Sequence, residues 1–160
     1  FGRSRQDGPR WQTEPVPEVP AWGETKHVVL PIGVAPVFSQ HFEFRPLPPY
    51  PFSRASEARS AGWVRAHHPG PTRDVPYLIA LADAYWPSAL AVFATPRPTA
   101  TVAFMFQLIE PLDESAGDAP VFQRSSSIAA MDGFATEARQ LWSADGRLLA
   151  LNQQTFAVGK

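Results

Sequence analysis

The chain has 160 residues, 44% of them hydrophobic, and a net charge of −1. That suffices for one domain with a sizeable core and excludes a disordered chain. With no basic block and no cysteine, the sequence offers no electrostatic footprint for nucleic acid or an anionic membrane, no disulfide framework and no thiolate chemistry. Phe1–Gly8 has no signal-peptide pattern, so a cytoplasmic location is expected. The first residue is not methionine, which points to a chain that begins after processing, trimming or cleavage.

Residues 1–36 carry Pro9, Pro15, Pro17, Pro20, Pro31 and Pro36. Proline at that density excludes a long helix and disfavours a central strand. The segment reads as an extended arm or linker, with Val28–Leu30 as a short apolar anchor. A domain follows over 37–160. Val37–Leu47 reads as a strand stopped by Pro46, Pro48, Pro49 and Pro51. Gly62–His68 reads as a second strand, closed by Pro69-Gly-Pro71.

Residues 74–93 are the one good helix candidate. Asp74 is a plausible N-cap, and Pro76 is tolerated in a first turn. Leu78, Ile79, Ala82, Trp86, Ala89, Leu90 and Phe93 recur at helical spacing. Tyr77, Leu81 and Tyr85 make the other side apolar too, so a buried helix is expected. Asp83 and Pro87 interrupt this run, which argues against a transmembrane span.

After Pro98 the period changes to that of strands. Thr99–Ile109 is rich in Thr, Val and Phe. Asp113–Asp118 reads as a turn, and Val121–Met131 as a strand. Asp132-Gly133 and Asp145-Gly146 are two-residue hairpin signals around Phe134–Ser143, leading into Arg147–Val158. The tail thus reads as a four-strand antiparallel meander. One apolar helix beside one antiparallel sheet is best buried by wrapping the sheet around it, an α+β layout of the hotdog kind.

Three polar residues stand out. Asp83 is a lone carboxylate whose helical neighbours are Ile79, Ala80, Trp86 and Pro87. An aspartate on a helix ordinarily finds solvent, but a buried one must pair or give up its charge. Gln154 interrupts the largely apolar face formed by Leu148, Ala150, Asn152, Phe156 and Val158. Its plain role is a structural hydrogen bond. Thr99 opens the strand after the helix, where threonine is common for its β propensity alone. Together they suggest a recipe: a carboxylate that deprotonates water, with a hydroxyl and an amide to hold it. No Gly-x-Ser-x-Gly elbow is present, so water is the natural nucleophile. His67 and His68 are adjacent and point to opposite faces of a regular strand, so no metal site is expected. No cofactor is called for, and no glycine-rich phosphate loop is present.

The runs Gly62-Trp-Val-Arg65, Leu81-Ala-Asp-Ala-Tyr-Trp-Pro87 and Pro98–Phe106, with the ending Asp132–Gln154, resemble the C-terminal hotdog half of the acyl-CoA thioesterase II family. The resemblance covers roughly residues 36–158. It implies half of a double hotdog, two such units with joined sheets and helices packed inside. It implies hydrolysis of acyl-CoA thioesters by water, activated by an Asp, a Thr or Ser, and a Gln. Those positions fall on Asp83, Thr99 and Gln154, with Thr101 and Gln153 as the neighbours that a one- or two-residue slip would select. Trp86 and Thr101 become candidates for substrate contact, the apolar helix lining an acyl tunnel. Gln107 stands where many relatives carry His, and the first hotdog unit is absent. The arm then reads as the exit strand of that unit plus a linker. The expected partners are acyl-CoA, an N-terminal hotdog half as a missing segment or separate chain, and further copies in a homo-oligomer. The alternatives are a non-catalytic acyl-CoA-binding or assembly unit, or a hydratase acting on enoyl-CoA. The helix carries no His for the latter.

Overall fold

The computed structural model describes residues 8–33, 35–112 and 118–159. The first seven residues of the expected arm and nearly all of the expected turn at 113–118 lie outside the described residues. Among the described residues, six strands form one antiparallel sheet: β1 (Phe42–Leu47), β2 (Arg59–Ala66), β3 (Thr99–Leu108), β4 (Val121–Met131), β5 (Phe134–Ser143) and β6 (Leu148–Val158). Their spatial order is β1-β2-β4-β5-β6-β3. One helix, α1 (Val75–Ala84), lies on one face. This is the hotdog arrangement anticipated from the sequence.

Several expectations need correction. Val37–His41 is a 3₁₀ turn rather than the start of β1. The tail is not a simple meander, because β3 pairs with β6 and not with β4. Asp132 and Gly133, with φ of 52° and 81°, do form a two-residue turn. The second turn is longer. Ser143 N donates to Arg147 O at 2.9 Å, enclosing three residues with Gly146 at φ 86°.

The helix is shorter than its apolar pattern. Asp74 caps it, its carboxylate accepting from Tyr77 N at 3.1 Å. At Tyr85 the backbone turns extended, with ψ of 147°. Pro87 explains the break: it lacks an N–H and disfavours helical geometry at Trp86. A 3₁₀ turn, Ser88–Val92, continues beyond it. The stretch Val75–Val92 has the length and composition of a membrane span, yet here it is broken and seated on the sheet. Leu78, Leu81, Ala82 and Tyr85 pack on Phe44, Val64, Val121, Leu141 and Leu149. Ile79, Ala80 and Asp83 are exposed, so the helix is buried on one side only.

The arm covers the opposite, outer face of the sheet. Gln12 Oε1 accepts from Leu148 N at 3.1 Å, and Glu14 binds Arg124 and Gln140 at 2.6 and 2.9 Å. Trp63 Nε1 donates to Pro20 O at 2.9 Å. Trp22 lies under two guanidinium groups, with Arg45 and Arg65 at 4.3 and 4.8 Å from its ring centroid. Val28 then bridges to Phe44 at the edge of β1. A second core of Trp63, Phe122, Trp142 and Leu148 is closed by Val19 and Trp22.

Glu43 anchors this arrangement by accepting from Arg45 Nε at 2.9 Å and from Arg65 Nη2 at 2.8 Å. Burial pushes its carboxyl up, but the hydrogen bonds and charges of the two arginines outweigh that and hold it below the usual carboxylate value. The folded pKa is therefore below the unfolded one. Its stabilisation is complete above the unfolded pKa of about 4.3 and is lost as pH falls through the folded value. We expect wild type to lose more urea stability than Glu43→Gln between about pH 5 and about pH 3, in the window set by that depressed pKa. Equal losses in the two proteins would rule out this role for Glu43.

Candidate active site

The helix side of the sheet carries a row of buried polar side chains. In β6, Asn152 and Gln154 are both buried, at 3% and 0% exposure, and point to the same face. Their opposite neighbours on β5 are Arg139 and Glu137, and on β3 Phe106 and Phe104. Arg139 and Glu137 are each only 1% exposed and form an ion pair.

This pair clamps the end of the helix. Arg139 Nη1 donates to Ala82 O at 2.6 Å and to Tyr85 O at 3.1 Å, and Nη2 donates to Trp86 O at 3.5 Å. Glu137 Oε2 accepts from Ser88 N and Ser88 Oγ, both at 2.7 Å. The cation thus meets the carbonyl end of α1, where the backbone dipoles favour positive charge, and the anion meets the free N–H opening the next turn. The Arg139 guanidinium also lies 5.6 Å from the Phe156 ring. The last turn of α1 is thereby fixed to β5 at Arg139, whose cross-strand neighbour is Asn152, and the Ser88 turn is fixed at Glu137, whose cross-strand neighbour is Gln154.

Asp83 belongs to that last turn. The buried helix expected from the sequence would have enclosed Asp83, but Asp83 is exposed. The apolar neighbours at i±3 and i±4 misled because Ile79 and Ala80 share its uncovered stripe. An acid near a helix C-terminus is electrostatically unfavourable, so local structure gives Asp83 no reason to be there.

Gln154 is the most enclosed of the three candidates. Nε2 donates to Asn152 Oδ1 at 2.8 Å, while Oε1 is buried and meets no hydrogen-bond partner among the described residues. Gln153, the slip alternative, is exposed on the outer side of β6. Thr99 is half-buried opposite Val158, and Thr101 is exposed opposite Phe156. Both lie on the Gln154 face. Thr101 stands one same-face step along from Gln154, about 7 Å, and Thr99 two steps, about 14 Å, at the usual strand rise. Trp86 is half-buried, 4.8 Å from the Tyr85 ring and 6.0 Å from Phe44.

Gly62, in one of the sequence runs singled out above, is required by close approach. A Cβ there would stand 2.2 Å from Tyr85 Oη. The tyrosine hydroxyl donates to Trp63 O at 3.0 Å, and burial pushes its pKa well above the usual value. His67 and His68 are both exposed beyond β2. Among the described residues no three His, Asp or Glu side chains gather closely enough to hold a metal ion. A groove lined by Val16, Val19, Trp22, Trp63, Phe122 and Trp142 lies under the arm, on the face opposite Gln154.

Sequence reasoning missed Arg139 and Glu137. Their i, i+2 spacing in β5 places opposite charges on one face, and that alternation was the available signal. Breaking one partner of a buried pair leaves an uncompensated charge and costs about 3–5 kcal/mol. Glu137→Gln is therefore expected to destabilise the protein by about that amount, and the double variant Glu137→Gln/Arg139→Met by less. Urea unfolding of the three proteins decides this, and a double variant weaker than the single one would contradict it.

The sequence profile of the acyl-CoA thioesterase C-terminal domain family matches residues 10–158. No curated protein matches the chain. Among solved structures, a conserved hotdog-fold protein of unknown function from Alicyclobacillus acidocaldarius superposes with a TM-score of 0.84 at 24% identity, over 98% of this chain and 59% of that one. The acyl-CoA thioesterase II TesB2 of Mycobacterium marinum gives a TM-score of 0.64 at 16% identity, over 97% and 59%. A mutant of the phenylacetic acid degradation protein PaaI from Thermus thermophilus gives 0.53 at 23%, over 73% and 93%. At these identities the likeness is one of fold. The chain spans about three-fifths of the length of the Alicyclobacillus and Mycobacterium proteins. The profile match across nearly the whole chain, on a hotdog sheet and helix, makes this protein a member of the acyl-CoA thioesterase C-terminal domain family.

Proposed function

We propose that this chain is the C-terminal half of an acyl-CoA thioesterase that uses water as its nucleophile. The observation that carries the reading is the fixed corner of α1. It fixes the turn that carries Asp83 to β5, whose partner strand β6 bears a buried glutamine with an unclaimed carbonyl oxygen. In this reading Asp83 takes a proton from water as the oxygen attacks the thioester carbonyl. Thr99 and Gln154 hold the water and the carbonyl, Thr101 being the alternative hydroxyl that the strand register favours. The tetrahedral intermediate then collapses, the C–S bond breaks, and the thiolate leaves and takes up a proton. Trp86 and the exposed stripe of α1 would line the acyl side of the site.

The same reading supplies a partner. β3 is an edge strand with Val102, Met105 and Leu108 exposed at 60%, 50% and 40%. An apolar edge strand invites pairing, and an exposed apolar stripe on α1 invites cover. An N-terminal hotdog half, in the same or a separate chain, would extend the sheet at β3 and enclose Asp83. Higher assembly into a homo-oligomer, a role in lipid metabolism and a cytoplasmic location follow as parts of this proposal.

The test is thiol release from acyl-CoAs of graded chain length, read colourimetrically with the full-length protein. Asp83→Ala is expected to cut kcat by about 10²–10⁴-fold, the usual worth of a positioned acid–base group. Thr99→Ala and Thr101→Ala, compared side by side, identify the working hydroxyl as the one whose loss lowers kcat. Wild-type turnover in the Asp83→Ala protein would remove the assignment. Acyl-CoA binding without thiol release would favour a scaffold, and hydration of crotonyl-CoA a hydratase.

A further inference from the structure

We propose that Asn152 is a positioning residue that fixes which end of the Gln154 amide faces the reacting water. The inference rests on the hydrolase reading above and deepens it. Amide oxygen and nitrogen cannot be told apart by shape, so their assignment must come from partners that can only donate or only accept. Here one such partner exists. The backbone carbonyl of Met105 in β3 can only accept, and the Asn152 side chain reaches it at 2.7 Å. The contacting atom of Asn152 is therefore its NH₂ group. Its oxygen is then turned along β6 toward Gln154, and that oxygen can only accept. The group of Gln154 that meets it at 2.8 Å must be the NH₂.

The order runs one way, from a main-chain carbonyl through two amides. It ends on Gln154 Oε1, an acceptor at 0% residue exposure with no partner among the described residues. Glu137, directly opposite on β5, does not compete for the amide, since its carboxylate is already engaged by Arg139 and by both donors of Ser88. A buried acceptor left in this state calls for a donor. The nucleophilic water supplies one. Of its two hydrogens, one is taken by the Asp83 carboxylate and the other is held by Gln154 Oε1. This leaves an oxygen lone pair for the carbonyl carbon. Without Asn152 the amide is free to turn over and present NH₂, which would compete for that lone pair.

Asn152→Asp and Asn152→Leu test the mechanism as a pair. In Asn152→Asp an ionised carboxylate can only accept, so the Gln154 amide keeps its NH₂ toward position 152 and its Oε1 toward the water. In Asn152→Leu nothing selects either end of the amide. Thiol release from octanoyl-CoA by the full-length protein is expected to show a kcat at least tenfold lower in Asn152→Leu than in Asn152→Asp, with KM within twofold in both. Equal kcat values in the two variants overturn the proposal.

A second measurement is independent of activity. In wild type, the Gln154 side-chain NH₂, assigned by its loss in Gln154→Glu, should exchange slowly with solvent in ¹⁵N NMR spectra, and faster in Asn152→Leu. Fast exchange in wild type overturns the lock. A wild type with slow exchange but no thiol release would instead sink the hydrolase reading while leaving the lock standing.

Discussion

The structure depends on one buried ion pair. Arg139 and Glu137 sit where neither charge has access to water. A pair so placed adds little to stability over an apolar substitute, because desolvation offsets much of the attraction. What it adds is position. Helix α1 stops at Ala84, ahead of Pro87, and the chain resumes as a 3₁₀ turn at Ser88. Such a break leaves carbonyls on one side and N–H groups on the other without intrahelical partners. Arg139 answers the first set and Glu137 the second. The corner becomes a fixed joint on β5 rather than a loose one, and the Asp83 turn inherits that fixity.

The open side of the molecule concerns α1 and β3 together. Ile79, Ala80 and Asp83 form the uncovered stripe of the helix, and most of β3 is exposed. Among the described residues only β6 is hydrogen-bonded to β3, so the far backbone groups of that strand are free to extend the sheet. In the proposed double hotdog these two features have one remedy. A second unit that pairs with β3 would also lie over the helix, changing the surroundings of Asp83 from solvent to protein. Gln154 needs no such help, being enclosed already by its own sheet and helix.

The outer face has been dealt with differently. A hotdog sheet has a helix for one side only, and here the proline-rich arm takes the other. It does so with side-chain anchors rather than regular structure: Gln12 and Glu14 on the late strands, Trp22 under two arginines on the early ones. Proline suits this role because it lowers the entropy lost when an extended segment is ordered and needs no ladder partner for its own nitrogen.

The parts of the fold set by local chemistry were legible in the residues alone. Two Asp-Gly turn signals bracketed β5 and led into β6, Asp132-Gly133 supplying a positive-φ pair for the first hairpin, and Asp74 marked the start of α1. The sequence also singled out Gln154, because a polar residue on an apolar strand face is visible from period two alone. It could not decide the burial of Asp83, since helical spacing reports which residues share a side and not whether anything covers that side. Nor could it give the β3–β6 pairing, the arm's seat on the outer face, or the docking of Ala82 and Ser88 on Arg139 and Glu137. Those join residues tens of positions apart in the chain, and only tertiary packing brings such groups within the 3–4 Å over which hydrogen bonds and ion pairs act.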